Sequence, residues 1–205
     1  MAELQIVIIH DDWNENSPLV EEMKEKYGSE NVTFIKHSQQ GIDYLMKAPV
    51  RKTVVILDYN FKKGEPTGGT VFQKIREKSA LIYVIIVTRS QYNSIAADDL
   101  VQFVNNHALA IARPSDDYTV ISQLVETATH ELALRADVIL EEWISERPED
   151  ERTKPYLALY DGKVYSLNDI LNNIRTQSEL GINFTKNVLG LAVDLVMKKM
   201  GQKDV

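Results

Sequence analysis

The feature that most constrains the fold is an alternation, over the first 115 residues, between short apolar runs and stretches with helical spacing. The five apolar runs are rich in Ile, Val and Leu, and they cover residues 4–9, 32–35, 53–58, 81–88 and 108–112. Strands that are this uniformly apolar are typical of a parallel sheet covered by helices on both faces. The pattern therefore predicts an α/β fold with a doubly wound, five-stranded parallel sheet.

Local signals mark where individual elements begin and end. Ser17-Pro18 is typical of an N-cap followed by proline at the first helical position, and Gly28 is a suitable stop for that helix. Asp161-Gly162 indicates a hairpin turn. Residues 166–169 resemble a capping box with Asp in place of Glu, which predicts another helix start.

A long helical pattern begins at Ser115 or Asp116 and continues beyond the length of a domain-closing helix. It predicts one extended fifth helix that ends before Pro148 and is followed by a small α-rich appendage. We therefore expect a domain over residues 1–125, a connecting helix over 126–147, and a hairpin with two helices over 148–205. The apolar stripe of the predicted long helix comprises Ile121, Leu124, Val125, Ala128, Leu132, Ala136, Ile139, Leu140 and Trp143.

Composition narrows the classes of function. The chain has no cysteine, which excludes disulfides, thiol catalysis and zinc–thiolate sites. Its net charge is −7, and the last sixty residues carry nine basic and nine acidic residues without a basic stripe. Binding to the phosphate backbone of DNA is therefore not expected.

The termini and hydropathy predict a soluble, cytoplasmic protein without a membrane interaction. Met1–Gln5 lacks the basic and apolar regions of a signal peptide. No uninterrupted apolar run approaches the roughly 20 residues that span a bilayer.

Polar residues collect where the predicted strands end. Asp11 and Asp12 follow the first strand, Asp58 ends the third, Thr88 ends the fourth and Arg113 follows the fifth. In a sheet of order 2-1-3-4-5 these ends meet at one edge. Clustered carboxylates favour a cation such as Mg²⁺, while a hydroxyl and a guanidinium favour a phosphoryl group.

These segments resemble the receiver domain family of two-component response regulators over residues 4 to about 125, a family with a flavodoxin-like sheet. The segment His10–Trp13 resembles the acidic pair of the family, and Leu57–Asn60 resembles its phospho-acceptor segment. Val87-Thr88 matches the hydroxyl position, and Arg113-Pro114 matches the Lys-Pro pair. We do not recognise a family in the C-terminal region.

The resemblance implies a role for each matched position. Asp58 would accept a phosphoryl group from a histidine kinase or a phosphotransfer protein. Mg²⁺ would be held by Asp12, Asp58 and the carbonyl of Asn60, with Asp11 acting through water. The oxygens of the phosphoryl group would be contacted by Thr88 and Arg113.

Three departures from the family bear on switching. Arg113 replaces the family's lysine, which keeps the charge but not the compact ammonium. Phe61–Gly64 replaces the usual Met-Pro after the acceptor segment, and small Ala110 stands where an aromatic switch residue is expected. We interpret His10 as a partly buried neighbour that packs against the loop, with metal coordination as the alternative.

The favoured interpretation is a non-enzymatic response regulator whose output is contact with a downstream protein, with homodimer formation left open. The first alternative is a receiver-like scaffold that works without phosphorylation, which the departures at Ala110 and Arg113 favour. The second is a Mg²⁺-dependent phosphohydrolase that uses Asp11, Asp12 and Asp58. A DNA-binding output ranks last because the C-terminal region is neutral.

Overall fold

The computed structural model describes residues 4–47, 52–89, 95–106, 108, 110–113, 118–159 and 162–201, with side chains up to residue 198. Pro114, Ser115, Asp116 and Asp161 lie outside the described residues.

The five predicted strands form one parallel sheet in the order β2-β1-β3-β4-β5. The strands are β1 Gln5–Ile9, β2 Val32–Ile35, β3 Thr53–Asp58, β4 Tyr83–Val87 and β5 Ala110–Ala112. The predicted fold class and strand order are therefore confirmed. The fourth and fifth strands were predicted too long, since β4 and β5 each begin two residues later than their apolar runs.

Five helices connect and cover the strands. They are α1 Pro18–Tyr27, α2 Ser38–Lys47, α3 Gly68–Lys78, α4 Ala97–Asn105 and α5 Tyr118–Leu134. Ser17 is the N-cap of α1 and Pro18 its first residue, as the sequence predicts. Gly28 ends the helix with φ of 90°, a conformation that disfavours residues with a Cβ.

The core lies on both faces of the sheet. Every residue of β3 is buried, which explains why its sequence shows no alternation of polar and apolar residues. One face packs against side chains of α2, α3 and α4, including Ile42, Phe72 and Phe103. The other face packs against α5, which contributes Ile121 and Val125.

The predicted single long helix is wrong, because α5 ends at Leu134 and a separate helix, α6 Ala136–Ser145, begins after Arg135. Arg135 has an extended backbone, with φ of −78° and ψ of 120°. Its guanidinium Nη2 donates to Asp137 Oδ2 at 2.7 Å, and Oδ1 of Asp137 accepts from the N–H of Val138 at 2.9 Å. Asp137 thus satisfies a free N–H in the first turn, which favours a new helix start here.

This break changes which face of the second helix is buried. Val138, Glu141 and Ile144 face inward, whereas Ile139 and Trp143 are 49% and 41% exposed. The predicted apolar stripe is therefore correct along α5 and wrong along α6. A residue in extended conformation resets the helical phase, so a stripe cannot be extended across it.

The chain divides into two compact units, Met1–Leu134 and Arg135–Val205. The second unit contains α6, α7 Glu149–Arg152, the hairpin of β6 Pro155–Ala158 and β7 Val164–Ser166, α8 Leu167–Arg175 and α9 Glu179–Gly201. The division falls between residues 134 and 135, inside the segment 126–147 that we expected to be one connecting helix.

Helices α6 and α8 pack together inside the second unit. Buried Glu141 accepts a hydrogen bond at 2.7 Å from Nε of Arg175, so its charge is paired. Ser166 and Asp169 form the predicted capping box at the start of α8. The remaining buried side chains of this unit are apolar: Val138, Ile144, Leu167, Ile170, Leu171 and Ile174.

Helix α9 is largely exposed within its unit. The 20 residues of Glu179–Lys198 are long and apolar enough to cross a membrane by length and composition alone. The expectation that no segment reaches this length is therefore wrong, because it considered only uninterrupted apolar runs. One such helix is weak grounds for a membrane protein.

Candidate functional site

The strand register places the predicted site at one edge of the sheet. Ile9 of β1 pairs with Leu57 of β3, and Asp58 pairs with Val87 of β4. His10 therefore follows β1 next to Asp58, and Thr88 follows β4 on the other side. His10, Asp11, Asp58 and Thr88 are all at most 5% exposed.

Asp58 is the central acid of this edge. Its Oδ1 accepts a hydrogen bond from the N–H of Asn60 at 2.8 Å, and its Oδ2 lies 3.3 Å from Nδ1 of His10. The pKa of Asp58 is raised to about 7, mainly by burial, while the hydrogen bond from Asn60 opposes the rise and the nearby carboxylates of Asp11 and Asp12 add to it. A proton or a cation at Oδ2 would relieve the crowding of acceptors.

Asp11 faces the same pocket with one free oxygen. Its Oδ2 accepts a hydrogen bond at 3.1 Å from the N–H of Lys62, in the loop after β3. Its Oδ1 is buried and has no hydrogen-bond partner among the described residues. An unpartnered buried carboxylate oxygen is costly, and a bound cation would remove that cost.

His10 occupies the position nearest Asp58. Its Nδ1 accepts a hydrogen bond at 3.2 Å from the N–H of Asp12. Its ring stacks on Trp13 with 3.8 Å between the ring centroids. Burial lowers the pKa of His10 to about 4, so the ring is neutral at physiological pH. The ring is more deeply buried than our interpretation of the sequence expected.

Thr88 and Arg113 complete the edge from β4 and β5. The hydroxyl of Thr88 donates a hydrogen bond to Oδ1 of Asn60 at 2.9 Å. Arg113 directly follows β5 and is partly buried. Both residues thus lie at the carboxyl ends of strands, on the same edge of the sheet as Asp58.

Asp12 lies near enough to Asp58 and His10 to act electrostatically on both. Its carboxylate is exposed and forms an ion pair with Nη1 of Arg89 at 2.9 Å. The group with metal-ligand spacing among the described residues is His10, Asp11 and Asp58, whose ligand atoms lie within 4.8 Å of one another. The geometry therefore adds His10 to the candidate ligands from the segment after β1.

His10 is the residue that the sequence interpretation undervalued. The available signal was the end of the apolar run, because β1 stops at Ile9 and His10 is the first polar residue after it. Pairing of Ile9 with Leu57 makes His10 the counterpart of Asp58. Asp11 and Asp12 remain the acidic pair that the resemblance predicts, and His10 is a further candidate beside them.

The side chains present fit a divalent cation. Asp11 and Asp58 supply hard oxygen ligands, and the unpartnered Oδ1 of Asp11 lies in the same cluster. The pocket therefore has the donors that Mg²⁺ requires, together with one imidazole nitrogen that Mg²⁺ does not favour.

Comparison with solved structures identifies the fold. The adenylate cyclase structure from Rhodopirellula baltica is 15% identical, with a TM-score of 0.56, and the match covers 72% of this chain and 100% of that one. The N-terminal domain of an uncharacterized protein from Wolinella succinogenes is 19% identical, with a TM-score of 0.50, covering 66% and 100%. A CheY-like receiver domain protein from Methanospirillum hungatei is 14% identical, with a TM-score of 0.48, covering 64% and 96%.

No family model and no curated protein matches the sequence. The sheet order and the flanking helices of the N-terminal unit are those of the flavodoxin-like fold, which receiver domains share. At these identities the likeness concerns the fold alone.

Proposed function

We propose that the N-terminal unit is a receiver domain that accepts a phosphoryl group on Asp58 from a histidine kinase or a phosphotransfer protein. The observation that carries this proposal is the position of Asp58, buried at the carboxyl end of the central strand between Asp11 and Thr88. Ligands of doubly wound sheets bind at this edge, where the strand order switches.

The transfer would use one oxygen of the Asp58 carboxylate as the nucleophile. The N–H of Asn60 donates to Oδ1 and so holds the carboxylate in position. A bond forms between a carboxylate oxygen and phosphorus while the bond from phosphorus to the donor's histidine nitrogen breaks, and that nitrogen takes the electron pair. Thr88 and Arg113 would contact the oxygens of the transferred group, as the resemblance implies.

A divalent cation such as Mg²⁺ would supply positive charge to the carboxylates and to the phosphoryl oxygens. Asp11 and Asp58 would hold it, together with the backbone carbonyl of Asn60 that the resemblance implies. The cation would also favour the ionised form of Asp58, whose pKa is otherwise raised to about 7 by burial. The nucleophile is thus available at neutral pH once the cation is bound.

The output would be contact with another protein, not with DNA. The C-terminal segment 146–205 has equal numbers of acidic and basic residues, which is unfavourable for binding phosphates. Helix α9 presents exposed apolar side chains, including Leu191, Leu195 and Met197. Exposed apolar groups of this kind are typical of protein interaction sites.

A phosphorylation-independent scaffold is the second candidate, and His10 is the observation that favours it. A neutral imidazole at 3.3 Å from Oδ2 of Asp58 occupies space beside the nucleophile. Ala110 provides no aromatic ring to report a change at Thr88. In that case the pocket would bind a cation without taking phosphate.

Beryllofluoride, a mimic of a phosphoryl group on aspartate, separates the two functions. The wild-type protein with Mg²⁺ is expected to show bound beryllofluoride by ¹⁹F NMR, and Asp58→Asn is expected to show none. Asp43→Asn is the matched control, because Asp43 is an exposed acid on α2. Absence of a bound signal in wild type and control would favour the scaffold.

A further inference from the structure

We propose that the pocket of His10, Asp11 and Asp58 is a site for a first-row transition metal ion, such as Mn²⁺ or Co²⁺, in preference to Mg²⁺. This inference deepens the proposed receiver function, because it names the class of cation that the same pocket selects. Cation binding does not itself require phosphorylation.

The spacing of the donor atoms fits a shared metal ion. Nδ1 of His10 and Oδ2 of Asp58 lie 3.3 Å apart. Two donors that are each ~2.1 Å from one metal ion lie ~3.0–3.4 Å apart in octahedral or tetrahedral geometry. In the tautomer in which Nδ1 accepts from the N–H of Asp12, Nδ1 and the ionised Oδ2 are both acceptors. A metal ion bound between them would replace that hydrogen bond.

A second observation points to a ligand in this cluster. Asp11 is 5% exposed, and its buried Oδ1 has no hydrogen-bond partner among the described residues. Its carboxylate has its ligand atom within 4.8 Å of those of His10 and Asp58. The imidazole of His10 and the carboxylates of Asp11 and Asp58 therefore converge in a cluster in which Oδ1 of Asp11 has no hydrogen-bond partner.

The imidazole nitrogen of His10 decides which metal ions the pocket prefers. Imidazole nitrogen suits Zn²⁺, Fe²⁺ and Ni²⁺, whereas Mg²⁺ is bound almost entirely by oxygen. Affinity for nitrogen-containing sites rises from Mn²⁺ through Co²⁺, in the Irving–Williams order. A pocket with His10 in place of a carboxylate thus loses one favourable ligand for Mg²⁺ and gains one for the transition metals.

The fold itself provides an optical reporter for this site. The ring of Trp13 stacks on the ring of His10 with an interplanar angle of 13°. Co²⁺ bound to His10 would quench Trp13 because it lies within a few ångströms of the indole. The chain has two tryptophans, so Trp143→Phe leaves Trp13 as the sole tryptophan signal.

The test is a titration of the full-length Trp143→Phe protein with Mg²⁺, Mn²⁺ and Co²⁺, by fluorescence and by calorimetry. We expect Co²⁺ to bind at least tenfold more tightly than Mg²⁺ and to quench Trp13. Introducing His10→Gln into the Trp143→Phe protein keeps residue 10 uncharged and replaces the imidazole nitrogen by an amide oxygen. The ratio of Co²⁺ to Mg²⁺ affinity should then fall by about tenfold, roughly the effect of one altered metal-site partner.

Two controls separate this site from others. His37→Gln removes an exposed histidine that pairs with Glu65, and it should leave the titration unchanged. Asp11→Asn should weaken all three ions together. An unchanged ratio of Co²⁺ to Mg²⁺ affinity in His10→Gln would overturn the inference.

Failure of the proposed function would look different. Tight binding of Co²⁺ without any beryllofluoride or phosphoryl adduct would leave the metal site standing and remove the receiver activity. Phosphorylation of Asp58 with Mg²⁺, together with equal affinity for both ions, would leave the receiver activity standing and remove the metal preference.

Discussion

The hydroxyl of Tyr59 donates a hydrogen bond to Oδ2 of Asp99 at 2.9 Å and accepts one from the N–H of Ala96 at 3.1 Å. Tyr59 directly follows the central acid Asp58, whereas Ala96 and Asp99 belong to the start of α4. The side chain of Tyr59 therefore connects the segment that contains Asp58 to the start of α4. This connection is independent of an aromatic residue at the position of Ala110.

Tyr59→Phe should loosen the start of α4 without removing the pocket. The change deletes one donor and one acceptor, at a cost of roughly 0.5–1.5 kcal/mol per hydrogen bond. We expect faster amide hydrogen exchange over residues 95–100 and unchanged labelling of Asp58. Tyr44→Phe, which removes a hydroxyl that contacts Thr33, is the matched control. Equal exchange in the two variants over those residues would contradict the connection.

The opposite pKa shifts of Asp58 and His10 predict a specific pH dependence of stability. Asp58 has a raised pKa of about 7, so it contributes stability at low pH that is lost as the pH rises to about 7. His10 has a pKa lowered to about 4, so it contributes stability above pH 6.5 that is lost as the pH falls to about 4. Between about pH 4 and pH 6.5 the two effects on the free energy of unfolding have opposite signs and cancel in the wild type.

Single variants should reveal the two slopes in metal-free buffer. Asp58→Asn leaves only the His10 effect, so the free energy of unfolding should rise with pH by up to ~1.4 kcal/mol per unit relative to wild type. His10→Gln leaves only the Asp58 effect and should give the opposite slope. Urea unfolding at several values between pH 4.5 and 6.5 measures both. Slopes of the same sign would show that one of the shifts is misassigned.

Gly68 is expected to be intolerant of any side chain. A Cβ at this position would lie 2.5 Å from the carbonyl oxygen of Asp58 and 2.6 Å from Cα of Tyr59. Since both neighbours are backbone atoms, Gly68→Ala must displace the acceptor segment. We expect a loss of 1–3 kcal/mol, typical of overpacking, and weaker cation binding.

Gly190→Ala provides the comparison for Gly68. A Cβ at Gly190 has no neighbour within 4 Å, and alanine favours the helix by up to ~1 kcal/mol. Thermal unfolding of the two variants should therefore move in opposite directions. A Gly68→Ala protein as stable as wild type would contradict the described packing.

Exposed apolar residues on α9 predict self-association. Leu189, Leu191, Leu195, Val196 and Met197 are each more than half exposed. At roughly 60–120 Å² of apolar area per such side chain, two copies would bury about 600–1,200 Å², near the lower limit for a specific interface. The expected interaction is a weak homodimer.

Leu191→Ser together with Leu195→Ser should shift the protein toward monomer in light scattering. Ile139→Ser, an exposed residue of α6, is the control and should leave the oligomeric state unchanged. A wild-type protein that stays monomeric at high concentration would contradict the dimer. Binding of wild type, but not the variant, to lipid vesicles would assign this surface to a membrane instead.

The sheet was predictable because its residues carry the signal themselves. A strand buried on both faces, such as β3, must be apolar throughout, and Ser17-Pro18 and Gly28 mark helix ends by their own conformational preferences. The break at Arg135 was not predictable in this way. It depends on the hydrogen bonds that the Arg135 guanidinium donates to Asp137, next to a single residue in extended conformation. Both flanking segments keep good helical spacing.

The positions of the candidate site residues at the strand ends were predictable from the sequence. Asp58 and Thr88 follow from strand ends alone, but the proximity of His10 to Asp58 depends on strand register. Register is set by the pairing of Ile9 with Leu57, a contact between residues 48 positions apart in sequence. His10 could be recognised as the neighbour of Asp58 only once that pairing was known.

The most direct test of the central claim is intact-mass measurement after treatment with acetyl phosphate and a divalent cation. The wild-type protein is expected to gain the mass of one phosphoryl group, and Asp58→Asn is expected to gain none under the same conditions. Asp43→Asn, which changes an exposed acid on α2, should be labelled like wild type. An unlabelled wild-type protein with Mg²⁺ and with Mn²⁺, or equal labelling of Asp58→Asn, would contradict the assignment of Asp58 as phospho-acceptor.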